Sequence, residues 1–259
     1  MKKSGRKSSI ILSSFNNLSS LKLSLISLEY VKKISDYDLE IIISDDGSTD
    51  GTIDFLKQKG VKFCTQDNDG YRLAKVWNNG AKIARDESTR FIFGNSDIIF
   101  PRLCIERHLH KRYKNVLLAG LYPSIKEDCV PDMTEQCLHN HMINDFAGPI
   151  KGFTCDRRRD FIEGKKKPIL NHMQKIPPRF MYGGNWSTPR HVFEKLEGLD
   201  ENFKGWGGED FDYAKRAEQI SVSVYIDFYC VGYHLDHPTT NRDNTKHIGK
   251  GYFKKKWNL

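Results

Sequence analysis

At residues 38–50 the chain reads DLEIIISDDGSTD, a run of aliphatic residues that ends in acidic and hydroxyl side chains. The near-continuous apolar run at residues 39–43 is typical of a strand that is buried on both faces. Gly47 and the polar residues around it then break the run, as turn residues do. A strand buried on both faces belongs to a parallel sheet that helices cover on each side.

Strand and helix patterns alternate on both sides of this run. Leu21, Leu25 and Leu28 recur at helical spacing before it, and Gly60 can end a helix after it. Such alternation predicts βαβ units, and hence an α/β fold with a mostly parallel central sheet flanked by helices. The predicted strands are residues 9–12, 39–43, 61–64 and 90–93, and the later helices of this half are residues 52–59 and 73–84.

Polar clusters follow three of the predicted strands, at residues 13–17, 45–49 and 95–97. The carboxyl ends of parallel strands meet at one edge of a sheet, and ligands of such sheets bind beyond that edge. We therefore expect these clusters to lie together and to form the functional edge.

The second half of the chain is less regular. Ser187 and Thr188 before Pro189 predict a helix start, with the helix continuing over residues 191–196. A helix at residues 209–219 and short strands at 222–226 and 229–233 complete the pattern. Residues 241–259 are polar and basic, and we expect them to form a tail on the surface.

Composition limits the class of protein. Of 259 residues, 41 are Lys or Arg and 33 are Asp or Glu, which gives a formal charge of +8. Hydrophobic residues at 38% exclude a disordered chain, and no apolar run reaches the roughly 18 residues of a membrane span. No secretory signal is predicted. The six cysteines show neither a CxxC pair nor the Cys/His spacing of a zinc site, which favours a reduced cytoplasmic protein.

Two acidic motifs at the predicted edge have alternative interpretations. Asp46, with Asp45 before it, could bind nucleoside hydroxyl or amide groups, or both could simply cap a strand-to-helix turn. Asp97 could bind a hard cation at the end of a strand, or it could cap the segment before Pro101.

Two motifs of the second half also contain side chains suited to binding or catalysis. Glycines flank Trp206 in Lys204-Gly205-Trp206-Gly207-Gly208-Glu209-Asp210, and an aromatic face beside paired acids suits a sugar. The same acids would be favourable at a helix start in any protein. His234 and His237 follow an apolar strand, and we expect only one of the two to face a given site.

Five motifs in this order resemble the family 2 glycosyltransferases of the GT-A fold. The first four are residues 13–17, 45–50, 69–80 and 95–97. The fifth, residues 183–186 with 206–210 and 233–237, resembles a galactosyltransferase-type C-terminal half. The resemblance covers roughly residues 8–240 and implies one GT-A catalytic domain. Its nucleotide-sugar-binding half would be residues 8–115, and its acceptor and catalytic half 116–240, with a basic insert at 151–179 and the basic tail 241–259 beyond it.

The resemblance assigns roles residue by residue. It implies that Asp210 is the catalytic base of an inverting transfer, with Glu209 as its rival, which we assign to an acceptor hydroxyl. Asp97 and His234 would hold a divalent cation, Mn²⁺ or Mg²⁺. Asn95 replaces the first Asp of the family's DxD motif, which predicts weaker metal affinity, and Val231 replaces a further ligand of some relatives. Donor-binding positions are Ser13, Phe15, Asp46, Arg72, Asn95, Ser96, Gly183 and Gly184, and acceptor-binding positions are Trp206, Gly208 and Glu209.

The implied function is transfer of a hexose or N-acetylhexosamine from a nucleotide-diphosphate sugar, with UDP as the expected carrier. The acceptor would be a hydroxyl of a glycan or lipid-linked saccharide, in bacterial surface polysaccharide synthesis. We expect a cytoplasmic protein, with peripheral contact to an anionic membrane left open through the basic insert. The alternatives are a catalytically silent nucleotide-binding relative, suggested by Asn95, and a nucleic-acid-binding protein, suggested by the charge. Acids at the predicted edge argue against nucleic acid, and the sequence does not predict the oligomeric state.

Overall fold

The structure, a computed structural model, describes residues 4–125, 173–237 and 246–259. The strands are β1 Ser4–Ser14, β2 Tyr37–Asp45, β3 Lys62–Thr65, β4 Ser88–Asn95, β5 Ile98–Ile99, β6 Leu117–Leu121, β7 Ser124–Ile125, β8 Met173–Ile176, β9 Asn185–Pro189, β10 Val224–Val231 and β11 Tyr233–Leu235. The α-helices are α1 Leu18–Ile34, α2 Thr52–Lys59, α3 Leu73–Lys82, α4 Arg102–Leu109, α5 Arg190–Lys195, α6 Glu209–Gln219 and α7 Lys246–Trp257.

A sheet of eight strands in the order β3-β2-β1-β4-β9-β6-β10-β8 forms the centre. Its first four strands are parallel, so the α/β fold with a mostly parallel sheet is confirmed. The register pairs Ser14 with Asp45 and Ser13 with Asn95. The polar clusters after β1, β2 and β4 therefore lie side by side at the carboxyl edge, as the sequence predicts.

Apolar side chains cover both faces of the sheet. Leu25 and Leu28 of α1 pack with Ile10 and Leu12 of β1 on one face. On the other face the indole of Trp77 in α3 meets Trp186 edge-on at 5.7 Å between ring centroids, and Phe93 stacks on Trp186 at 4.6 Å. These contacts fix β4, β9 and α3 relative to one another, which positions the loops that follow them.

Two details of the strands in the second half differ from the prediction. Ser187 and Thr188 do not start a helix: they lie in β9, which pairs antiparallel with both β4 and β6, and α5 starts only after Pro189. The two short strands expected at 222–226 and 229–233 are instead a single strand, β10. Burial explains the first difference, because Ser187 and Thr188 are fully covered and hydrogen-bonded inside the sheet.

A small sheet of β5, β11 and β7 stands apart from the large one. Residues 246–257, which were expected to be a surface tail, form helix α7. Most of the basic insert, up to residue 172, lies outside the described residues, and its end forms β8 at the sheet edge. Among the described helices, none combines the length and apolarity that crossing a bilayer requires.

Candidate functional site

One carboxylate and two imidazoles converge at the end of the small sheet. The Nε2 atom of His237 lies 3.1 Å from Oδ2 of Asp97, and Nε2 of His234 lies 3.5 Å from the same oxygen. The structure thus brings Asp97 and His234 together and adds His237. The expectation that only one of the two histidines faces the site is wrong, because the chain turns after β11 and returns the second ring to the same carboxylate.

Backbone pairing explains why residues so distant in the chain meet here. His234 in β11 pairs antiparallel with Ile98 in β5, and the Leu235 amide donates to the Asp97 carbonyl at 2.7 Å. On its other side β11 pairs with β7, where Oγ of Ser124 lies 3.2 Å from Nδ1 of His234. A hydrogen bond to the far ring nitrogen is the usual way in which a ligating histidine is oriented.

The charge state of Asp97 suits a cation. Burial of this carboxyl group raises its pKa, but the hydrogen bonds and charge of His234 and His237 outweigh burial and hold the pKa well below its ordinary range. Its Oδ1 atom is buried and has no hydrogen-bond partner among the described residues. A buried carboxylate oxygen without a partner costs free energy, which a bound cation would remove.

The two aspartates in the turn after β2 make different contacts. Asp45 holds the turn, since its carboxylate accepts from the amides of Gly47 and Ser48 at 2.9 and 2.8 Å. Asp46 is buried, and its Oδ1 accepts from Nε2 of Gln66 at 2.6 Å. The capping interpretation therefore applies to Asp45, which leaves Asp46 as the nucleotide-binding candidate.

The other predicted donor residues lie on the same edge. Ser13 donates through Oγ to Oδ1 of Asn95 at 3.0 Å, and the Ser96 amide donates to the Ser13 carbonyl at 2.9 Å. Phe15 follows β1 and is half-buried. The guanidinium of Arg72, at the start of α3, donates to Asp69 at 2.7 Å and to the Glu201 carbonyl at 3.2 Å.

The glycine-flanked tryptophan lies in a loop whose backbone requires glycine. Gly205, Gly207 and Gly208 have φ values of +80°, +93° and +106°, which side chains with a Cβ rarely adopt. The Gly205 amide donates to the Tyr71 carbonyl at 3.0 Å, so this loop lies beside Arg72. Trp206 is 37% exposed, which leaves its ring accessible to a ligand.

The paired acids follow this loop at the first turn of α6. Glu209 and Asp210 are both buried, at 4% and 8% exposure. Burial, followed by the charge of Asp210, raises the pKa of Glu209 to about 8. Glu209 is therefore protonated near neutral pH, which makes Asp210 the better candidate of the two to accept a proton.

Gly183 and Gly184 link the acids to the rest of the edge. A Cβ added to Gly183 would lie 3.5 Å from Oδ2 of Asp210, and one added to Gly184 would lie 2.8 Å from the Tyr122 ring. Tyr122 precedes Pro123, whose carbonyl accepts from the His234 amide at 3.0 Å. Gly183 thus borders the catalytic candidate, and Gly184 borders the segment that hydrogen-bonds to β11.

Helix α7 covers the back of the tryptophan loop. Nζ of Lys250 lies 5.4 Å from the centre of the Trp206 ring, and a Cβ added to Gly249 would lie 3.0 Å from the Trp206 carbonyl oxygen. Lys256 pairs with Asp200 and Asp212, and Nε1 of Trp257 donates to Asp212 at 2.9 Å. Sequence reasoning missed this contribution because the segment has few aliphatic residues, although Phe253 and Trp257 at i, i+4 were a signal.

Comparison with known families agrees with this architecture. The model of "Glycosyl transferase family 2" matches residues 9–197, and that of "N-terminal domain of galactosyltransferase" matches residues 171–237. Validoxylamine A glucosyltransferase from Streptomyces hygroscopicus subsp. jinggangensis is 25% identical over 227 residues, which are 82% of this chain and 51% of the relative. Chondroitin synthase from Escherichia coli is 24% identical over 257 residues, 93% of this chain and 36% of the relative. The chain thus spans about half or less of these two relatives.

Solved structures show the same fold. A mannosyltransferase from Pyrobaculum calidifontis, in complex with GDP-Man and Mn²⁺, matches 92% of this chain and 58% of its own with a TM-score of 0.58 at 14% identity. GalNAc-T7 with UDP, GalNAc and Mn²⁺ matches 90% of this chain and 43% of its own, with a TM-score of 0.60 at 15% identity. With nearly three quarters of its residues matched by the first family model, the chain belongs to glycosyl transferase family 2.

Proposed function

We propose that the chain transfers a hexose or N-acetylhexosamine from a nucleotide-diphosphate sugar, with UDP as carrier, to a saccharide hydroxyl with inversion. The observation that carries this proposal is the convergence of Asp97 and two histidines on the sheet edge that also holds Asp46, Arg72 and Asp210. A nucleotide, a diphosphate-binding cation and a proton acceptor are what such a transfer needs in one place.

The residues present fit a divalent cation. Asp97 offers a carboxylate with an unpartnered oxygen, and His234 and His237 offer ring nitrogens within 4.8 Å of it and of each other. Mg²⁺ takes oxygen ligands, whereas a set with two imidazoles favours a transition metal, which supports Mn²⁺ of the two ions considered. When bound, the ion would act as a Lewis acid toward the diphosphate leaving group.

The protein's own groups supply the rest of the reaction. Asp210 accepts the proton of the attacking hydroxyl, while Glu209, kept protonated by burial, can donate a hydrogen bond to another acceptor hydroxyl. Arg72 and Asp46 hold the nucleotide, and Gly183 and Gly184 let the sugar approach the backbone. Trp206 offers its exposed ring to a sugar face.

The relatives also support a proposal for the biological role. Chondroitin synthase is among the relatives, which supports a role in bacterial polysaccharide synthesis with a glycan or lipid-linked saccharide as acceptor. We propose a cytoplasmic site of action, with the basic insert at 151–179 available to an anionic membrane.

The test combines donor binding with turnover. A thermal-shift screen of nucleotide sugars with Mn²⁺ or Mg²⁺ identifies the donor, because a ligand bound by the folded state raises the melting temperature. With that donor, Asp210→Asn should bind it as the unmodified chain does and lower release of nucleotide by at least ~10². Glu218→Gln, an exposed change on the same helix, is the control.

Three results would count against the proposal. Near-normal turnover of Asp210→Asn would remove Asp210 as the base. Donor binding without any hydrolysis or transfer by the unmodified chain would favour a silent nucleotide-binding relative. A failure of every nucleotide sugar to raise the melting temperature would argue against the whole function.

A further inference from the structure

A second group of side chains of metal-ligating type lies inside the protein, in a cluster separate from that of Asp97, His234 and His237. Cys104 and His108 are one turn apart on α4, Cys230 lies in β10 and Asn185 begins β9. All four are buried, with at most 1% exposure. Their polar atoms face one another in a space that excludes solvent.

The distances in this cluster are close to those of a tetrahedral metal site. The two Sγ atoms are 3.7 Å apart, and zinc bound to two thiolates at about 2.3 Å separates them by about 3.8 Å. Nε2 of His108 lies 3.2 Å from Sγ of Cys230, against about 3.6 Å in such a site. Sγ of Cys104 lies 3.7 Å from Oδ1 of Asn185, against about 3.6 Å.

The fourth corner is set by the orientation of Asn185. Its Nδ2 atom donates to the carbonyl of Leu121 at 2.9 Å and to that of Cys230 at 3.4 Å. Nδ2 also lies 3.5 Å from Sγ of Cys104, so the whole amide borders the cluster, and Oδ1 lies 2.7 Å from Nε2 of His108. This pair of atoms would open by about 0.6 Å around an ion.

The surroundings of His108 are those of a ligating histidine. Its Nδ1 atom lies 2.8 Å from Oγ of Ser187, and that hydroxyl also accepts from Nε of Arg90 at 2.9 Å. A ligating histidine typically donates its other ring N–H to such an oxygen. Arg90 is itself buried, so its bond to Ser187 lies inside the protein.

We infer that Cys104, His108, Cys230 and Asn185 form a closed, structural zinc site. Binding releases the two thiol protons, so that Zn²⁺ and two thiolates form a neutral unit with the imidazole nitrogen and the amide oxygen. The site is separate from the candidate catalytic cluster: it joins α4 to β9 and β10 within the protein core. Through β10 it would hold the strand that leads, after Gly232, into β11 and His234.

A disulfide is the competing chemistry for the two cysteines. It would require the sulfur atoms to approach from 3.7 Å to about 2.05 Å and would need an oxidant. It would use neither His108 nor the Asn185 oxygen, which would keep only their hydrogen-bond contacts to each other and to Ser187. Zinc uses all four groups at nearly their present separations.

The first experiment measures zinc in the full-length chain, purified without a histidine tag, by plasma mass spectrometry. We expect about one zinc per chain, and less than about a tenth of that in a Cys104→Ser/Cys230→Ser variant. Cys64→Ser is the matched control, because Cys64 is a free cysteine outside the cluster. Asp97→Ala separates this zinc from metal at the sheet edge, and both controls should keep it.

A second measurement needs no variant and therefore does not depend on its folding. Cobalt added to the metal-free chain should give thiolate-to-cobalt charge-transfer absorption and the strong visible bands of a tetrahedral ion. Several results would overturn the inference: no zinc and no such spectrum, zinc retained by the double variant, or a Cys104–Cys230 disulfide found by mass spectrometry under non-reducing conditions. The double variant keeps the other three cysteines, Cys129, Cys137 and Cys155, so zinc bound by any of them would still be detected in it.

Discussion

Gly183 lies directly beside Asp210, although 27 positions separate them: a Cβ at residue 183 would be 3.5 Å from Oδ2 of that carboxylate. The same Cβ would lie only 2.8 Å from Cη2 of Trp77, which is fully buried in the core. The indole cannot move away without disturbing its stack of aromatic rings, so any side chain at this position must push toward Asp210.

Gly183→Ala should therefore lower both turnover and stability. We expect at least a ~10-fold loss of turnover, because small displacements of a catalytic group are costly, and about 1–3 kcal/mol of lost unfolding free energy. Gly251→Ala is the matched control, since a Cβ there meets no atom within 4 Å. Kinetics with the identified donor and urea unfolding of both variants provide the measurement, and normal turnover of Gly183→Ala would contradict it.

His237→Ala tests whether His237, which the sequence analysis did not assign to the cation, takes part in metal binding. Since its Nε2 is closer to Asp97 than that of His234 is, we expect the Mn²⁺ concentration for half-maximal donor binding to rise by at least ~10-fold. Asp236→Ala, an exposed neighbour, is the control. Calorimetric titration of Mn²⁺ with UDP present measures the shift, and an unchanged requirement would limit the site to Asp97 and His234.

A substitution of Asp212 tests how α7 is held against α6. This fully buried carboxylate accepts from Arg216 at 2.8 Å, Lys256 at 2.7 Å and Trp257 at 2.9 Å. Asp212→Ala removes the acceptor of Trp257 and one acceptor each of Arg216 and Lys256, which keep backbone carbonyls and Asp200 respectively, and we expect a loss of about 3 kcal/mol in unfolding free energy. Glu218→Ala, exposed on the same helix, should cost little.

The same variant should also change the environment of the tryptophan loop. Release of α7 removes Lys250 from the Trp206 ring and Gly249 from the loop backbone. We expect faster hydrogen exchange at residues 205–208 in Asp212→Ala than in the control. Unchanged exchange with a normal melting temperature would mean that α7 does not support this loop.

The predictable part of the fold is the part with regular periodicity. Residues 39–43 and their alternation with helices were sufficient to predict parallel strands and a common polar edge, because that edge follows from chain direction alone. The antiparallel β9 was not predictable, since Ser187 and Thr188 are typical of a helix start, whereas pairing with β4 and β6 and bonds to Arg90 and Tyr213 hold them in a strand. Tertiary hydrogen bonds overrode local propensity.

The candidate site likewise contains residues that the sequence predicted and residues that only the structure revealed. Asp97 and His234 were found through motif order, whereas His237 and Ser124 join them through the turn after β11 and the pairing with β7. The buried Cys104 cluster has no sequence signature of a zinc site, because its ligands come from three elements and only Cys104 and His108 are close in the chain. Spacing rules find sites built on one loop or hairpin and miss those built by packing.

The pKa of Glu209 leads to a prediction of how the unfolding free energy depends on pH. Burial and the neighbouring charge of Asp210 raise its pKa to about 8, while in the unfolded chain the group titrates near about 4.3. A raised pKa in the folded state stabilises the protein fully below the unfolded value, and that contribution is lost as the pH rises through the folded value. Glu209 should therefore make the unfolding free energy fall between about pH 4.5 and 8, by about 1 kcal/mol per pH unit.

Glu209→Gln removes this titration while preserving shape, and it removes a buried oxygen, Oε2, that has no hydrogen-bond partner among the described residues. We expect the variant to match the unmodified chain near pH 5 and to exceed it in unfolding free energy at pH 8. Urea unfolding at half-unit pH steps provides the measurement, with Glu218→Gln as the control for a lost charge on α6. Parallel pH profiles for all three proteins would mean that Glu209 is ionised in the folded state, and the assignment of the proton-accepting role to Asp210 alone would then fail, because both acids could accept the hydroxyl proton.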